Sequence, residues 1–280
     1  MHYYIGLPEW RHPNWYAEGN QPDQPLKIYS RHFNSVEGNT SFYALPGEST
    51  VANWQQNTPE NFRFCFKFPK TISHDAQLRH CFADVHAFLD RLSPLTEKLG
   101  LLWLQMGPGF GPQNLSELDA FLQRLPNDFR YGIEVRHEGF FKKDDAEIRF
   151  NQLLMDKAVN RVMFDTRSIF AHPGSDPASL EAQRKKPGHP LHVLATGEQP
   201  MLRFISPMDI SLVDKELRQW AGKTHQWLTE GRTPYLFFHT PDKRHAPQLA
   251  LRFSQLLAGI DPQIQAVTLW PAQPQQEGLW

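Results

Sequence analysis

The segment Arg130–His137 places a carboxylate, a guanidinium and an imidazole within four consecutive residues. Side chains alternate between the two faces of a strand, so Glu134 and Arg136 point in the same direction if this segment is a strand. Buried charges are costly unless they are paired or functional. We therefore predict that Glu134 and His137 transfer protons in an active site and that Arg136 binds the substrate.

Polar side chains occupy the corresponding face of several other predicted strands. Glu37 is a second candidate general acid or base, because neighbouring charges can separate the pKa values of two carboxylates. Lys67 is a candidate Schiff-base nucleophile if it is desolvated, although contact with an anion is the commoner role of such a lysine. The other residues that we expect to contact the substrate are Asn39, His74, Gln105, Asp165, Arg203, His239 and Trp10.

The cations of this set outnumber its carboxylates. Like charges about 4 Å apart repel by roughly 4 kcal/mol at an effective dielectric constant near 20, so the signs must interleave or a ligand must complete them. The surplus of cations favours a phosphate or carboxylate ligand. A divalent metal is the less favoured alternative, because cations oppose it and no ligand motif supports it, and we predict no metal and no cofactor. The charged residues are Glu37, Glu134, Asp165, Lys67, Arg136, Arg167 and Arg203.

These side chains need a scaffold in which several strands end at one place. Short apolar runs alternate with segments whose apolar residues recur at i, i+3 and i+4, which predicts alternating strands and helices. The predicted strands are Tyr3–Leu7, Ser35–Asn39, Arg63–Phe68, Leu101–Gln105, Tyr131–Arg136, Arg161–Asp165, Met201–Ile205 and Tyr235–His239. The predicted helices are Val51–Gln56, Leu78–Leu92, Leu115–Leu125, Ile148–Lys157, Leu212–Thr229 and Ala246–Leu257.

Eight strands separated by helices predict an α/β chain folded as a single (β/α)8 TIM-type barrel. An open doubly wound sheet is the alternative, but Gly6–Trp10 does not match the glycine-rich first turn of that fold. A barrel would bring the polar set to the C-terminal ends of its strands, where barrel enzymes carry out their chemistry. We predict one barrel domain over residues 1–270 and a flexible tail over residues 271–280.

The segment His172–His192 is predicted to be a long loop between strands six and seven, and a short helix within it is left open. It contains several proline and glycine residues and the basic triplet Arg184–Lys186. Such a triplet is usually a cluster of solvated charges on a loop. We therefore predict that the triplet is exposed to solvent.

Composition limits the classes of partner. The 280 residues carry 29 basic and 30 acidic side chains, for a net charge of −1, which argues against bulk binding to nucleic acid or to an anionic membrane. No apolar run approaches the roughly 18 residues of a membrane span, and the N-terminus has no signal-peptide pattern. Cys65 and Cys81 cannot build a disulfide scaffold. These features favour a cytoplasmic location.

Several motifs, in order along nearly the whole chain, resemble the YecE-like family, which is catalogued as a domain of unknown function. They are Gly6-x-x-x-Trp10, Val36–Pro46, Phe64–His74, Leu104–Pro108 and Glu134–His137. The resemblance implies a TIM-type barrel and no established activity. The chain departs from the family pattern at strand eight, where it has Phe237–Pro241 in place of a Phe-Asn-Asn type segment. The functional positions that the resemblance implies are Glu37, Asn39, Lys67, His74, Gln105, Glu134, Arg136 and His137.

Three functions are compatible with these observations. The leading prediction is an enzyme that uses acid–base chemistry on an anionic substrate, with hydrolysis, isomerisation and lyase chemistry all open. The second is a nuclease or repair protein tethered to a replication sliding clamp through Gln276, Leu279 and Trp280, because Gln276-Glu-Gly-Leu-Trp280 resembles clamp-docking peptides. The third is a non-catalytic barrel that binds a small ligand.

Overall fold

The computed structural model describes residues 2–16, 23–172 and 174–270. Within these ranges eight parallel strands form a closed barrel in which each strand pairs with the next and β8 pairs with β1. This architecture confirms the predicted TIM-type barrel. The strands are β1 (Tyr4–Leu7), β2 (Ser35–Gly38), β3 (Arg63–Lys67), β4 (Leu99–Gln105), β5 (Arg130–Glu134), β6 (Asn160–Asp165), β7 (Met201–Ile205) and β8 (Tyr235–His239).

Helices follow the strands around the outside of the barrel. They are α1 (Pro25–Tyr29), α2 (Glu48–Gln56), α3 (Phe82–Leu92), α4 (Leu115–Arg124), α5 (Asp145–Asp156), α6 (Arg167–Ala171), α7 (Pro177–Lys185), α8 (Asp214–Thr229) and α9 (Ala246–Ile260). Among the described residues, none of these helices has the length and apolar character that a membrane span requires. The predicted tail, residues 271–280, lies outside the described residues, so the predicted domain boundary stays a prediction.

Two helical predictions were wrong in detail. The predicted helix Leu78–Leu92 begins only at Phe82, because Leu78 and His80 have φ angles of +69° and +50°, which a right-handed helix cannot contain. The predicted loop His172–His192 contains the nine-residue helix α7, and α6 lies just before this loop, in a stretch for which no helix was predicted.

The lower half of the barrel interior is a layer of large side chains. Tyr4 and Tyr235 stack there with ring centroids 4.5 Å apart. Gly100 makes room for Tyr235 and Cys65, since a Cβ at this position would lie 2.8 Å from both Cys65 Sγ and the Tyr235 ring. Burial raises the pKa of the Cys65 thiol to about 12, so this cysteine acts as an apolar side chain. The layer closes the barrel from below. Its members are Tyr4, Cys65, Leu101, Trp103, Val162, Met201, Tyr235 and Phe237.

The outward faces of the strands pack against the helices. Phe64 and Phe66 of β3, for example, stack on Trp54 of α2 with ring centroids 5.9 and 5.2 Å apart. Burial on both faces is typical of parallel sheets. Charged side chains that point inward therefore lie in the interior of the molecule.

Candidate active site

Arg203 of β7 is the centre of a charged layer above the aromatic one. Its Nε and Nη2 donate hydrogen bonds to the two carboxylate oxygens of Glu37, at 2.9 and 2.7 Å. Its Nη1 donates to Oε2 of Glu134 at 2.6 Å. All three side chains are buried. The contact with Glu37 is bidentate, which is the geometry in which a guanidinium binds a carboxylate most strongly.

Glu134 connects Arg203 to a second group of cations. Its Oε1 accepts a hydrogen bond from Nε of Arg136 at 2.9 Å. Gln105 Oε1 accepts from Nη2 of Arg136 at 2.8 Å and from Nζ of Lys67 at 2.9 Å. The amide oxygen of Gln105 thus accepts hydrogen bonds from both Lys67 and Arg136. Because the amide is uncharged, neither hydrogen bond neutralises the positive charge of its donor.

Glu37 has two further partners. Nδ2 of Asn39 donates to its Oε1 at 2.7 Å, and Nε2 of His239 lies 3.0 Å from its Oε2. Burial lowers the pKa of His239, so the imidazole is neutral at neutral pH and donates its Nε2–H to the carboxylate. The structure therefore brings together one network, composed of the predicted residues Glu37, Asn39, Lys67, Gln105, Glu134, Arg136, Arg203 and His239.

The prediction that Asp165 points into the barrel was wrong. Its Oδ2 accepts a hydrogen bond from Nε1 of Trp220 on α8 at 2.8 Å, and its two oxygens hold the guanidinium of Arg167. The inward position belongs to the preceding residue, Phe164, whose ring centroid lies 4.6 Å from Cζ of Arg203. A shift of one residue along a strand reverses the face.

His137 and Trp10 have contacts that do not reach the network within the described residues. His137 Nδ1 accepts from the Gly139 N–H at 3.0 Å and so caps a short helical turn. Trp10 packs edge-on against Trp54 of the outer helix α2, at 5.6 Å between ring centroids. These positions do not support a proton-transfer role for His137 or a substrate contact for Trp10.

His74 lies at the edge of the network. Its ring packs edge-on against Phe42 at 5.1 Å, and its Nδ1 shares a hydrogen bond with Oγ of Ser73 at 2.9 Å. Burial, followed by the nearby charges of Lys67 and Arg136, lowers the pKa of His74. It therefore remains a candidate for substrate contact at the rim.

The family model described as Protein of unknown function DUF72 matches residues 4–275. The chain belongs to the DUF72 family. It is 46% identical to the UPF0759 protein YecE of Escherichia coli K12 over 277 residues, which cover 99% of each chain. It is also 38% identical to the UPF0759 protein YunF of Bacillus subtilis 168 over 147 residues, 49% of this chain and 52% of that protein.

Two solved structures share the fold of this DUF72 chain. A DUF72 family protein from Enterococcus faecalis V583 superposes with a TM-score of 0.71 at 19% identity, covering 97% of this chain and 99% of that one. A DUF72 family protein from Thermotoga maritima MSB8 superposes with a TM-score of 0.69 at 21% identity, covering 92% of this chain and 99% of that one.

The two carboxylates of this DUF72 barrel are held in their ionised form. Burial alone would raise the pKa of Glu37, but Arg203 and His239 hold it well below its usual value. Burial would likewise raise the pKa of Glu134, but the charges of Arg203, Arg136 and Lys67 outweigh it and lower this pKa to about 2. Carboxylates of this kind are weak bases and carry no proton at neutral pH, so their position suits charge stabilisation better than proton transfer.

Lys67 has the opposite electrostatic environment. Its Nζ lies 3.5 Å from the centroid of the Phe42 ring, its side chain is buried, and it forms no ion pair with a carboxylate of the described residues. Burial first, and then the charge of Arg203, lower the pKa of Lys67 to about 7. Its amine can therefore both gain and lose a proton near neutral pH.

Sequence reasoning missed Lys186, which directly follows α7. Arg184 and Lys185 are exposed as predicted, but Lys186 is partly buried. Burial, Arg203 and Arg136 lower its pKa to about 8. No local signal in the sequence could have found it, because Lys185 pairs with Glu181 as on an ordinary solvated helix face and nothing nearby in the sequence sets Lys186 apart from Lys185.

Within the described residues, no group of three or more histidine, cysteine, aspartate or glutamate side chains is placed to hold a metal ion. In the network, Arg203 occupies the space between Glu37 and Glu134, and it binds both carboxylates. Arg203 therefore takes the position that a cation would need between these two carboxylates.

Proposed function

We propose that the barrel mouth is the active site of an enzyme that acts on an anionic substrate and that Lys67 is its acid–base group. The environment of Lys67 is the observation that carries this proposal. Its amine is buried, is hydrogen-bonded by a neutral amide oxygen and lies over an aromatic ring. A proton-transfer group is most effective when its pKa is near the working pH, and the pKa of Lys67 is about 7.

A purely structural role does not explain why so many charged side chains are buried in this barrel. Each buried ion costs several kcal/mol even after relaxation, and the interior of a TIM-type barrel is ordinarily filled with branched apolar side chains. Here Glu37, Glu134 and Arg203 replace that filling at the C-terminal ends of the strands. This is the end of the barrel at which enzymes of this fold carry their active sites.

Different residues serve different roles in this proposal. Arg136, with 18% of its side chain exposed, binds the substrate anion together with Asn39 at the rim. Glu37 and Glu134 fix Arg203 in one orientation, so its charge is in place before the substrate arrives. Lys67 then transfers the proton. This assignment moves the proton-transfer role from the two carboxylates to the lysine.

A turnover screen of phosphorylated and carboxylated metabolites tests the proposal. We expect the wild-type protein to convert at least one compound and Lys67→Met to lose about 10²–10⁴-fold in rate, the usual contribution of a general acid or base. Lys70→Met is the matched control, because Lys70 is exposed and pairs with Asp75. Equal rates for Lys67→Met and the wild type, or conversion of no compound, would contradict the proposal. Tight ligand binding without turnover would favour the non-catalytic barrel.

The C-terminal peptide supports a second proposal, which concerns a partner. Gln276, Leu279 and Trp280 lie outside the described residues, and the motif itself is the supporting observation. A sliding clamp would then tether a barrel that acts on phosphodiesters. A pull-down of purified clamp tests this: the full chain should retain it, and a chain with Leu279→Ala and Trp280→Ala should not. Retention by both chains, or by neither, would exclude the tether.

A further inference from the structure

The connection between β6 and β7 covers the charged layer. We call residues 186–192 the lid segment. The Thr166 hydroxyl donates to the Pro187 carbonyl at 2.7 Å, and Nε2 of His189 donates to the Arg136 carbonyl at 2.8 Å. The His189 ring also stacks on Phe141 with centroids 4.7 Å apart. The lid segment is thus fastened to the barrel by these two hydrogen bonds, by the bond from Nδ1 of His192 to Oε1 of Glu147, and by the rings of His189 and His192 against Phe141.

Lys186, the first residue of the lid segment, lies near Arg136 and Arg203. Its Nζ lies 5.6 Å from the centroid of the Phe164 ring, and Cζ of Arg203 and Cζ of Arg136 lie 4.6 and 5.9 Å from the same centroid. Among the described residues, its side chain has neither a hydrogen bond nor an ion pair. Three cations therefore surround one ring, and one of them has no partner.

The hydrogen-bond donors of this cluster are only partly used. Arg136 donates through Nε and Nη2, which leaves Nη1 unused within the described residues. Lys67 uses one of its three N–H groups on Gln105, and Lys186 uses none. With both lysines protonated, the four cations exceed the two carboxylates of the network by two charges. A phosphate monoester offers three strong acceptor oxygens and carries about two negative charges.

We infer that the mouth binds a dianionic phosphoryl group, as in a phosphate monoester, and that the lid segment closes over it by bringing Lys186 to the phosphate oxygens. The inference rests on the proposed function in taking this mouth as the substrate site. A carboxylate or a phosphodiester supplies one negative charge and would leave the cluster with one cation in excess. Opening of the lid segment would admit the substrate to side chains that the closed state buries.

Calorimetric titration with inorganic phosphate, sulfate and acetate at pH 8 tests the inference. We expect phosphate and sulfate to bind, acetate to bind at least 10-fold more weakly, and Lys186→Met to weaken phosphate binding at least 10-fold. Bound dianion favours the charged form of both lysines, so binding should take up on the order of one proton, measured in buffers of different ionisation enthalpy. Lys185→Met is the control, because Lys185 is exposed and pairs with Glu181.

Lys186→Arg should retain phosphate binding, which separates loss of charge from damage to the lid segment. Unchanged phosphate affinity in Lys186→Met, or acetate binding as tight as phosphate, would overturn the inference. The binding assay needs no turnover, so it can succeed while the enzyme proposal fails. Conversely, turnover of a carboxylate substrate that depends on Lys67 and not on Lys186 would keep the enzyme proposal and refute this inference.

Discussion

Arg203 lies between carboxylates from β2 and β5, and each of its three donor nitrogens has a carboxylate oxygen as its partner. Alternation along the strands predicted that Glu37, Glu134 and Arg203 would face one another. The same rule failed at Asp165, because the outward face of β6 also holds buried polar groups: Nη1 of Arg161 donates to Glu147 at 2.9 Å. Polarity alone therefore could not tell the inward face of this strand from its outward face.

Replacing Glu37 by Gln should destabilise the protein strongly. The substitution keeps the shape of the side chain and removes one of the two charges that compensate the buried Arg203, and breaking a buried pair in this way costs about 3–5 kcal/mol. Urea unfolding measures the change in the free energy of unfolding. The control is Glu48→Gln, since 88% of the Glu48 side chain is exposed and the expected change is within about 0.5 kcal/mol. Similar values for both variants would refute the structural role of Glu37.

The lowered pKa of Lys67 predicts an unusual dependence of stability on pH. The unfolded chain, in which the lysine has its ordinary pKa of 10.5, binds more protons than the folded protein between about pH 7 and that value. The free energy of unfolding should therefore rise with pH across this window, by up to about 1.4 kcal/mol per pH unit from this residue.

Lys67→Met removes that contribution, so it should be more stable than the wild type at pH 7, and the difference should shrink toward pH 10. Chemical denaturation at several pH values measures both trends. A variant that is less stable than the wild type at every pH would show that Lys67 is not destabilised by its surroundings.

At the level of elements, the predicted strands overlap every strand of the barrel and differ at their ends by at most two residues. Strands that are buried on both faces read as clear apolar runs, which explains this agreement. Helix starts were harder to predict, since the positive φ angles of Leu78 and His80 depend on packing. Helix α7 was missed as a full element because its mean composition is polar, although Asp176 caps it through the Ser179 N–H at 2.9 Å.

Loosening the lid segment should change its dynamics without unfolding the barrel. Thr166→Val removes the hydroxyl that donates to the Pro187 carbonyl, and a lost hydrogen bond of this kind costs about 1 kcal/mol. We expect roughly fivefold faster deuterium exchange over residues 186–192, from the same ~1 kcal/mol, and unchanged exchange in the strands.

The control for this variant is Thr229→Val, because the Thr229 hydroxyl donates only to the His225 carbonyl of its own helix. Unchanged exchange over residues 186–192 in Thr166→Val would show that this bond does not hold the lid segment. Faster exchange over the whole barrel would show that Thr166→Val destabilises the protein globally and does not act on the lid segment alone.

The whole molecule combines an aromatic lower layer, a charged upper layer and a covering segment. The layers follow from strand alternation, and a sequence can predict them once the barrel is assumed. Lys186 could not be predicted in the same way, because it reaches the network from the end of a helix in a long connection whose path is set by contacts such as His189 with Arg136. Such a path depends on side chains far apart in the chain, and no local pattern encodes it.

The protonation of Lys67 tests the central claim most directly. Protein with ¹³C-labelled lysine can be titrated by NMR without any ligand, and the Cε resonance of Lys67 is assigned by its absence in Lys67→Met. The burial and neighbouring charges described above predict a titration midpoint at a pKa of about 7. A midpoint near 10.4, the value of an unperturbed lysine, would show that Lys67 is an ordinary solvated cation and would contradict its assignment as the acid–base group.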